Sequence, residues 1–272
     1  MKKLLIVALA ILMVAATAPA FAFSLAGGYL GPVSMKFTGF TRSLDSDPNT
    51  GLTGETWGIV RLTEVDNPFT TAKLWGQGDA NEQIYALIYG LQDNKIIGSS
   101  PTVEIDQMGG HFVMFSSTNP LHTAEFLLDN PSTRRTGLAQ YDSVTNIPGS
   151  TLFLSGDFSP GIVNGDTITT IQQNVDSATT PATGTGHGYA DLTGGSQFGF
   201  FNTNSLTDLA GNTHDMLFEF TVKPNVGGQP LPAGWDAFIN DPVTANVVPE
   251  PASMVLLSTG LIGLFGLRRK IA

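Results

Sequence analysis

The sequence predicts an all-β protein, mainly an antiparallel β-sandwich, with one or two short helices. Apolar and polar residues alternate in segments such as 34–40 and 57–65, and this period of two is typical of half-buried strands. Gly, Pro, Asn and Asp separate such segments at intervals that favour a sandwich or barrel. Only 13% of the residues are charged while 42% are hydrophobic, so the chain has enough apolar side chains for a core.

The individual strands follow from the same pattern. They are predicted at 34–40, 57–65, 83–91, 103–106, 111–115, 151–158, 167–171 and 216–222. Asn164-Gly165 between two apolar pairs predicts a hairpin. One helix is predicted from Pro120 to Leu128, where Pro occupies the first helical position. Single helical turns are predicted at 205–209 and 235–239.

Composition excludes several classes of protein. The chain of 272 residues has no cysteine, so it has no disulfide scaffold, no cysteine-based metal cluster and no thiol nucleophile. Its net charge is −10, and residues 23–248 alone contain 8 Lys and Arg against 22 Asp and Glu. Nucleic acid is therefore not an expected partner, because phosphate contacts need clustered basic residues.

The first 22 residues have the pattern of a secretory signal peptide. Lys2 and Lys3 precede an apolar run of 13 residues from Leu4 to Ala16, and the small residues Ala20 and Ala22 fit a cleavage site. Cleavage is expected after Ala22, with a cut after Ala20 as the alternative. The run is too short to span a bilayer, which takes about 20 residues. The expected partners are therefore the Sec translocon and signal peptidase.

The C-terminal segment combines a proline motif, a short apolar helix and a basic cluster. A transmembrane helix is predicted at 252–267, between Pro249-Glu250-Pro251 and the basic residues Arg268, Arg269 and Lys270. The basic end is expected to stay in the cytoplasm, which leaves the body outside. The helix covers about 24 Å at roughly 1.5 Å per residue, slightly less than the hydrocarbon core, which suits a transient anchor.

These features divide the chain into four parts. They are a signal peptide at 1–22, a β-sandwich body at 23–225, a linker at 226–248 and a sorting tail at 249–272. A division of the body into two small domains near 146–149 remains an alternative.

The tail resembles the PEP-CTERM sorting signal. In that family a membrane transpeptidase, exosortase, recognises and processes the tail, much as the removable tail of a GPI signal is processed. The resemblance implies that Pro249, Glu250 and Pro251 are recognition residues, that 254–267 is the transient anchor and that 268–270 stops transfer. It also implies an exopolysaccharide-making Gram-negative host. The alternative is an ordinary single-pass anchor behind a proline-rich stalk.

The body is similar to uncharacterised PEP-CTERM proteins in the layout of its glycines and aromatic residues. The similarity rests on segments such as Trp75-Gly76-Gln77-Gly78, Tyr89-Gly90 and Gly109-Gly110. It implies no known activity.

No catalytic motif is present in the sequence. Neither a Gly-x-Ser-x-Gly elbow nor a His-Glu-x-x-His pair occurs, and the four histidines are isolated. Two carboxylate pairs, Glu64 with Asp66 and Glu104 with Asp106, each lie on one face of a predicted strand, as a glycosidase would need. Half-buried strands with one wet face explain these pairs equally well, so an enzyme is not expected.

One segment has the residue types of a calcium site. Asp45, Asp47 and Asn49 place oxygen ligands at alternate positions, and Glu55 is close enough in sequence to complete the set. A polar turn between two strands is the competing interpretation, because Asp, Asn, Pro and Gly are also turn residues.

The sequence therefore predicts an exported protein of the cell surface or extracellular matrix. The expected role is structural or adhesive and associated with exopolysaccharide in a biofilm, without catalysis. The alternatives are a secreted hydrolase acting on polysaccharide and a carbohydrate-binding module. The module would need at least two of Trp57, Trp75 and Trp235 exposed on one face to stack on sugars.

Overall fold

The fold is taken from a computed structural model that describes residues 25–44, 54–99, 101–118, 137, 149–176, 183–223, 225–226, 229–232 and 234–248. Their strands are β1 (Gly31–Leu44), β2 (Glu55–Asp66), β3 (Lys73–Gly76), β4 (Gln83–Ser99), β5 (Thr102–Ser117), β6 (Ser150–Ser159), β7 (Thr169–Asp176), β8 (Thr183–Gly194), β9 (Leu206–Thr207), β10 (Thr213–His214), β11 (Met216–Lys223), β12 (Asn225–Val226), β13 (Gln229–Pro230) and β14 (Ala237–Val247). One α-helical turn, α1 (Phe198–Phe201), and 3₁₀ turns at Ala26–Gly28 and Asp79–Asn81 accompany them.

Ten of these strands form one antiparallel sheet that closes on itself. The pairing runs β2, β4, β5, β6, β8, β11, β14 and β1, and β1 pairs with β2 to complete the ring. The closing pair β1–β14 runs from Gly31 opposite Val247 to Thr41 opposite Ala237. The predicted all-β, antiparallel class is confirmed. β1 is hydrogen-bonded to β14 along one edge and to β2 along the other, so the strands surround the core as one continuous sheet. This pairing connects the two layers that would be separate in an open sandwich.

β6 and β7 share a single strand position in the ring. β6 pairs with residues 111–117 of β5 and 189–194 of β8, whereas β7 pairs with residues 102–108 and 183–188 of the same two strands. Asn164-Gly165 lies in the connection between β6 and β7, and Gly165 has a φ of 78°. The predicted turn forms, but the predicted hairpin is wrong, because these two strands follow one another along their neighbours instead of pairing.

The segment at 226–248, for which the sequence predicts a linker, contains a central strand. β14 is hydrogen-bonded to β1 on one edge and to β11 on the other, so the prediction is wrong for residues 237–247. Pro242 makes the segment resemble a linker, because proline cannot donate to a ladder. The strand tolerates it because the ladder with β11 is interrupted between Asn240 and Val243.

The sheet has two different ends. We call the end with Gly31 and Val247 the tail end and the opposite end, with Ser43 and Ala237, the far end. Leu25, Trp75 and Phe201 are 0–3% exposed and belong to the core cluster of the interior, and the 3₁₀ turn at 26–28 contacts β3 near the tail end. Towards the far end the interior retains a cavity of about 100 Å³.

A second apolar cluster lies apart from this interior. Trp57, Ile59, Tyr85, Leu87 and Trp235 form it, and all five are at most 5% exposed. On β2 these residues alternate with Val60 and Leu62 of the interior cluster, so β2 is buried on both faces. All three tryptophans of the chain are thus buried, and none offers an open face for a sugar ring.

The helical predictions differ from the structure in two places. Residues 206–207 form β9 and residues 237–239 begin β14, so the predicted single turns at 205–209 and 235–239 are wrong. Both segments find hydrogen-bond partners on other strands, which overrides their local preference. The helix predicted at 120–128 lies outside the described residues. In the part of the chain that the structure describes, no helix has the length and apolarity needed to cross a membrane.

Candidate functional site

The sorting tail begins where a core strand ends. Val247, the last residue of β14, is 2% exposed, and the backbone N–H of Val248 donates to the carbonyl of Phe200 at 3.0 Å. Pro249 follows with no intervening spacer. Because Gly31 pairs with Val247, β1 begins at the same end of the sheet at which β14 leads into the tail.

The predicted targeting residues themselves lie outside the described residues. This applies to Ala20 and Ala22, to Pro249, Glu250 and Pro251, to the helix at 252–267 and to Arg268, Arg269 and Lys270. Their roles remain predictions from the sequence.

The predicted calcium ligands are only partly within the described chain. Asp45, Asp47 and Asn49 lie outside it, whereas Glu55 is the first residue of β2 and is 3% exposed. Among the described residues, no group of three or more His, Asp or Glu side chains is placed to hold a metal ion. Calcium binding therefore remains a prediction for residues 45–55.

A polar pocket lies on the side of the sheet where β8 meets two turns. We call it the Asp191 pocket; it has a volume of about 370 Å³ and lies between the 159–167 connection, β8 and the β9–β10 turn. The side chains of Ser159, Asp166, Asp191, Asp208 and His214 line it. Three separate segments of the chain supply these residues, so no local sequence motif predicts the pocket.

Two carboxylates of the pocket are fixed in the ionised form. Asp208 accepts hydrogen bonds from the side-chain amide of Asn212, from the backbone N–H groups of Asn212 and Ala210, and from His214. These donors, with the Asn212 amide contributing most, lower the pKa of Asp208 to about 2. The backbone N–H groups of Thr169 and Ile168 and the Thr169 hydroxyl likewise lower the pKa of Asp166.

His214 is held between two carboxylates and an aromatic ring. Its Nδ1 lies 3.1 Å from Asp191 Oδ1, its Nε2 lies 3.4 Å from Asp208 Oδ2, and its side chain is 5% exposed. The ring of Tyr189 stacks on the imidazole with centroids 4.7 Å apart. With a carboxylate beside each ring nitrogen, neither nitrogen of His214 is open to a substrate or a metal ion.

Ser159 contacts the acid of this cluster and not the histidine. Its hydroxyl donates to Asp191 Oδ2 at 2.5 Å. In a serine hydrolase the histidine takes the proton of the serine, and the acid orients the far side of the histidine. Here the order of contacts is serine, acid, histidine, so the geometry does not activate Ser159 as a nucleophile.

Three of the four carboxylates that the sequence places in pairs have partners on neighbouring strands. Lys36 forms ion pairs with both Glu64, at 2.8 Å, and Asp66. These contacts, that with Asp66 first, raise the pKa of Lys36. Asp106 is 3% exposed and accepts a hydrogen bond from Gln172 at 3.3 Å on the neighbouring β7. These interactions connect adjacent strands, as polar pairs on a sheet commonly do.

Comparison with known proteins identifies the tail. Residues 247–270 match the PEP-CTERM protein-sorting motif, which confirms the resemblance drawn from Pro249-Glu250-Pro251 and the basic end. The motif supports an exported protein that is sorted at the membrane and processed by exosortase. No curated protein and no solved structure matches the chain. The tail therefore indicates how the protein is sorted, and the body has to be interpreted from its own geometry.

Proposed function

We propose that the body is a non-catalytic, structural or adhesive component of the cell surface or extracellular matrix, associated with exopolysaccharide. The signal peptide would direct it through the Sec translocon, and exosortase would process the tail after export. The observation that carries this proposal is the sorting motif at 247–270, joined without a spacer to the central strand β14. A protein that carries this motif is expected to function at the location to which the motif directs it, here the cell surface or the extracellular matrix.

The charge of the body supports a role in a hydrated matrix. Residues 23–248 carry a net charge of −14, which favours solubility and attracts divalent cations. The long strands are paired along the ring from β1 to β14, so the sheet presents few free edges for aggregation. A closed and acidic sheet suits a protein that persists in a polysaccharide layer.

A secreted polysaccharide hydrolase is the second candidate. It is favoured by one observation, the presence of Ser159, Asp191 and His214 in one pocket of about 370 Å³. It is weakened by the order of their contacts, since Asp191 separates the hydroxyl from the imidazole. The hydrolase requires the Ser159 hydroxyl for its activity, whereas the structural role does not depend on this hydroxyl.

The first test is the intact mass of the protein from surface and medium fractions of its host. The proposal predicts a mass that lacks residues 1–22 and ends near 249–252. A deletion of 249–272 is expected to move the protein into the medium and to reduce matrix-bound protein and biofilm mass. A mass that still includes residues 254–272 would show that the tail is a permanent membrane anchor, and it would contradict processing by exosortase.

The second test separates the two functions of the body. Purified host exopolysaccharide is incubated with the wild type and with Ser159→Ala, and both released reducing ends and bound protein are measured. The structural proposal predicts binding without release, and equal binding by both proteins. Release of reducing ends by the wild type that is lost in Ser159→Ala would establish the hydrolase instead. Absence of both binding and release would contradict both candidates.

A further inference from the structure

The interior cavity at the far end of the sheet has a rigid aromatic wall. The rings of Phe112, Phe158 and Phe218 pack against one another with centroids 5.0 to 5.9 Å apart, and all three line the cavity. Phe112 and Phe158 are at most 5% exposed, so this wall is buried. Aliphatic side chains such as Val60, Ala86 and Ile171 complete the lining.

At the far end of the interior, β8 contributes glycines, which do not themselves line the cavity. Gly184, Gly186 and Gly188 occupy the buried positions of this strand, alternating with the more exposed Thr185 and His187. A Cβ at Gly186 would lie 2.3 Å from the ring of Phe220, so this ring fills the space that a side chain would take. The remaining volume is about 100 Å³.

A chain of polar side chains borders the cavity at the far end. Ser43 and Thr56 share a hydroxyl–hydroxyl hydrogen bond of 2.9 Å, and Thr56 accepts a second from Gln107 Nε2 at 2.9 Å. Gln173 Nε2 donates to Gln107 Oε1 at 2.7 Å. The side-chain carbonyl of Gln173 accepts no hydrogen bond from the described residues, and Gln173 lines the cavity, which leaves an acceptor for a ligand hydroxyl.

The charges around this polar border select against anions. Among the described residues, no Lys or Arg lines the cavity. Asp93 accepts a hydrogen bond from Gln107 at 2.9 Å, so a carboxylate lies next to the polar border. A ligand with its own carboxylate would therefore have no basic partner, at an unfavourable cost in a partly dry site.

We propose that this cavity binds a small uncharged alcohol, with its apolar part against the three phenylalanines and its hydroxyl donating to Gln173. A closed sheet of about eight strands has an interior that can hold one small ligand. An apolar protein cavity of roughly 150 Å³ admits a molecule of the size of benzene, so the smaller volume of about 100 Å³ here favours an alcohol with a short alkyl chain.

The test uses the exported protein, purified without detergent, with its isoleucine δ1 methyl groups labelled for NMR. It is titrated with 1-butanol, and chemical shifts are followed at Ile88, Ile171 and Ile239, which line the cavity. Ile59, buried in the second cluster, and Ile168, which is 54% exposed, serve as internal controls. Saturable shifts confined to the three lining residues are expected.

Ligand charge and a cavity-filling variant supply independent checks. Butanoate at pH 7 is expected to bind at least about tenfold more weakly than 1-butanol, because its charge gains no partner. Ala86→Leu places three more carbons in the cavity and is expected to abolish the shifts, whereas Ala72→Leu, at an exposed alanine of the β2–β3 connection, should leave them unchanged.

Three results would overturn the inference. They are the absence of saturable shifts at 1-butanol concentrations that leave the fold intact, shifts of the same size at Ile59 or Ile168, and equal binding of butanoate. Each is measured on the wild type, so the outcome stands even where Ala86→Leu does not fold.

Discussion

Asp215 is expected to be among the most sensitive positions of the body. It is 2% exposed and directly precedes β11, where its carboxylate accepts three backbone hydrogen bonds. The donors are the N–H of Leu192 at 2.9 Å and those of Thr203 and Asn204 at 2.7 and 2.8 Å. Asp215 thereby connects the end of β8 to the segment that follows α1.

The cost of removing this carboxylate follows from the exposure of its donors. Leu192 N–H is buried and would be left without a partner in Asp215→Ala, at a cost of about 1–3 kcal/mol. Water can reach Thr203 and Asn204, so their lost charge-assisted bonds cost about 1 kcal/mol each. We therefore expect Asp215→Ala to lower the free energy of unfolding by about 3–5 kcal/mol. Asp215→Asn should lose about half of this, because its amide oxygen still accepts two of the three bonds.

Urea denaturation measures this effect. At a slope of about 2 kcal/mol/M, the midpoint of Asp215→Ala should fall by roughly 2 M with an unchanged slope. Asp157→Ala is the matched control, because this carboxylate is 53% exposed and its ion pair with His111 is equally exposed, so a change of less than about 1 kcal/mol is expected. Equal stability of Asp215→Ala and Asp157→Ala would show that the three backbone hydrogen bonds of Asp215 do not stabilise the fold.

Two further predictions concern the backbone and the pH dependence of stability. Gly195→Ala should destabilise the fold by more than about 2 kcal/mol in the same assay, since Gly195 has a φ of 111° and its Cβ would lie 2.4 Å from the Phe153 carbonyl. Gly211→Ala is the control, because Gly211 has a similar φ of 90° but no atom close to its Cβ position, so this variant should lose only about 1 kcal/mol through backbone strain. Equal losses of stability in the two variants would refute the steric explanation. For Asp208, the lowered pKa contributes stability above the ordinary value of 3.8, and this is lost as pH falls towards about 2. At pH 3 the unfolding of the wild type should take up about 0.8 proton at this carboxyl. The melting temperatures of the wild type and Asp208→Asn should therefore converge between pH 5 and pH 2, and a gap independent of pH would contradict this assignment.

The site illustrates which parts of function a sequence makes visible. The sorting tail was predicted because its proline motif, apolar segment and basic cluster are consecutive, and residues 247–270 match the motif. The Asp191 pocket had no such signal, because Ser159, Asp191, Asp208 and His214 come from separate segments. The one available hint was the acidic turn around Asp208, which the structure explains as a network of hydrogen bonds within the turn and to His214.

The sequence by itself determined the class of the fold and the sorting signal of the tail. Alternation of apolar and polar residues is a local property that is sufficient to define antiparallel strands. Only the tertiary structure decided how these strands are arranged, since β1 and β14 are about 200 residues apart and pair through backbone groups that no side-chain pattern specifies. The same closure turned a segment that looked like a linker into a central strand. It also created the interior cavity, because closing the sheet brings Phe37 of β1 and Val243 of β14 into one lining with the phenylalanines of β5, β6 and β11.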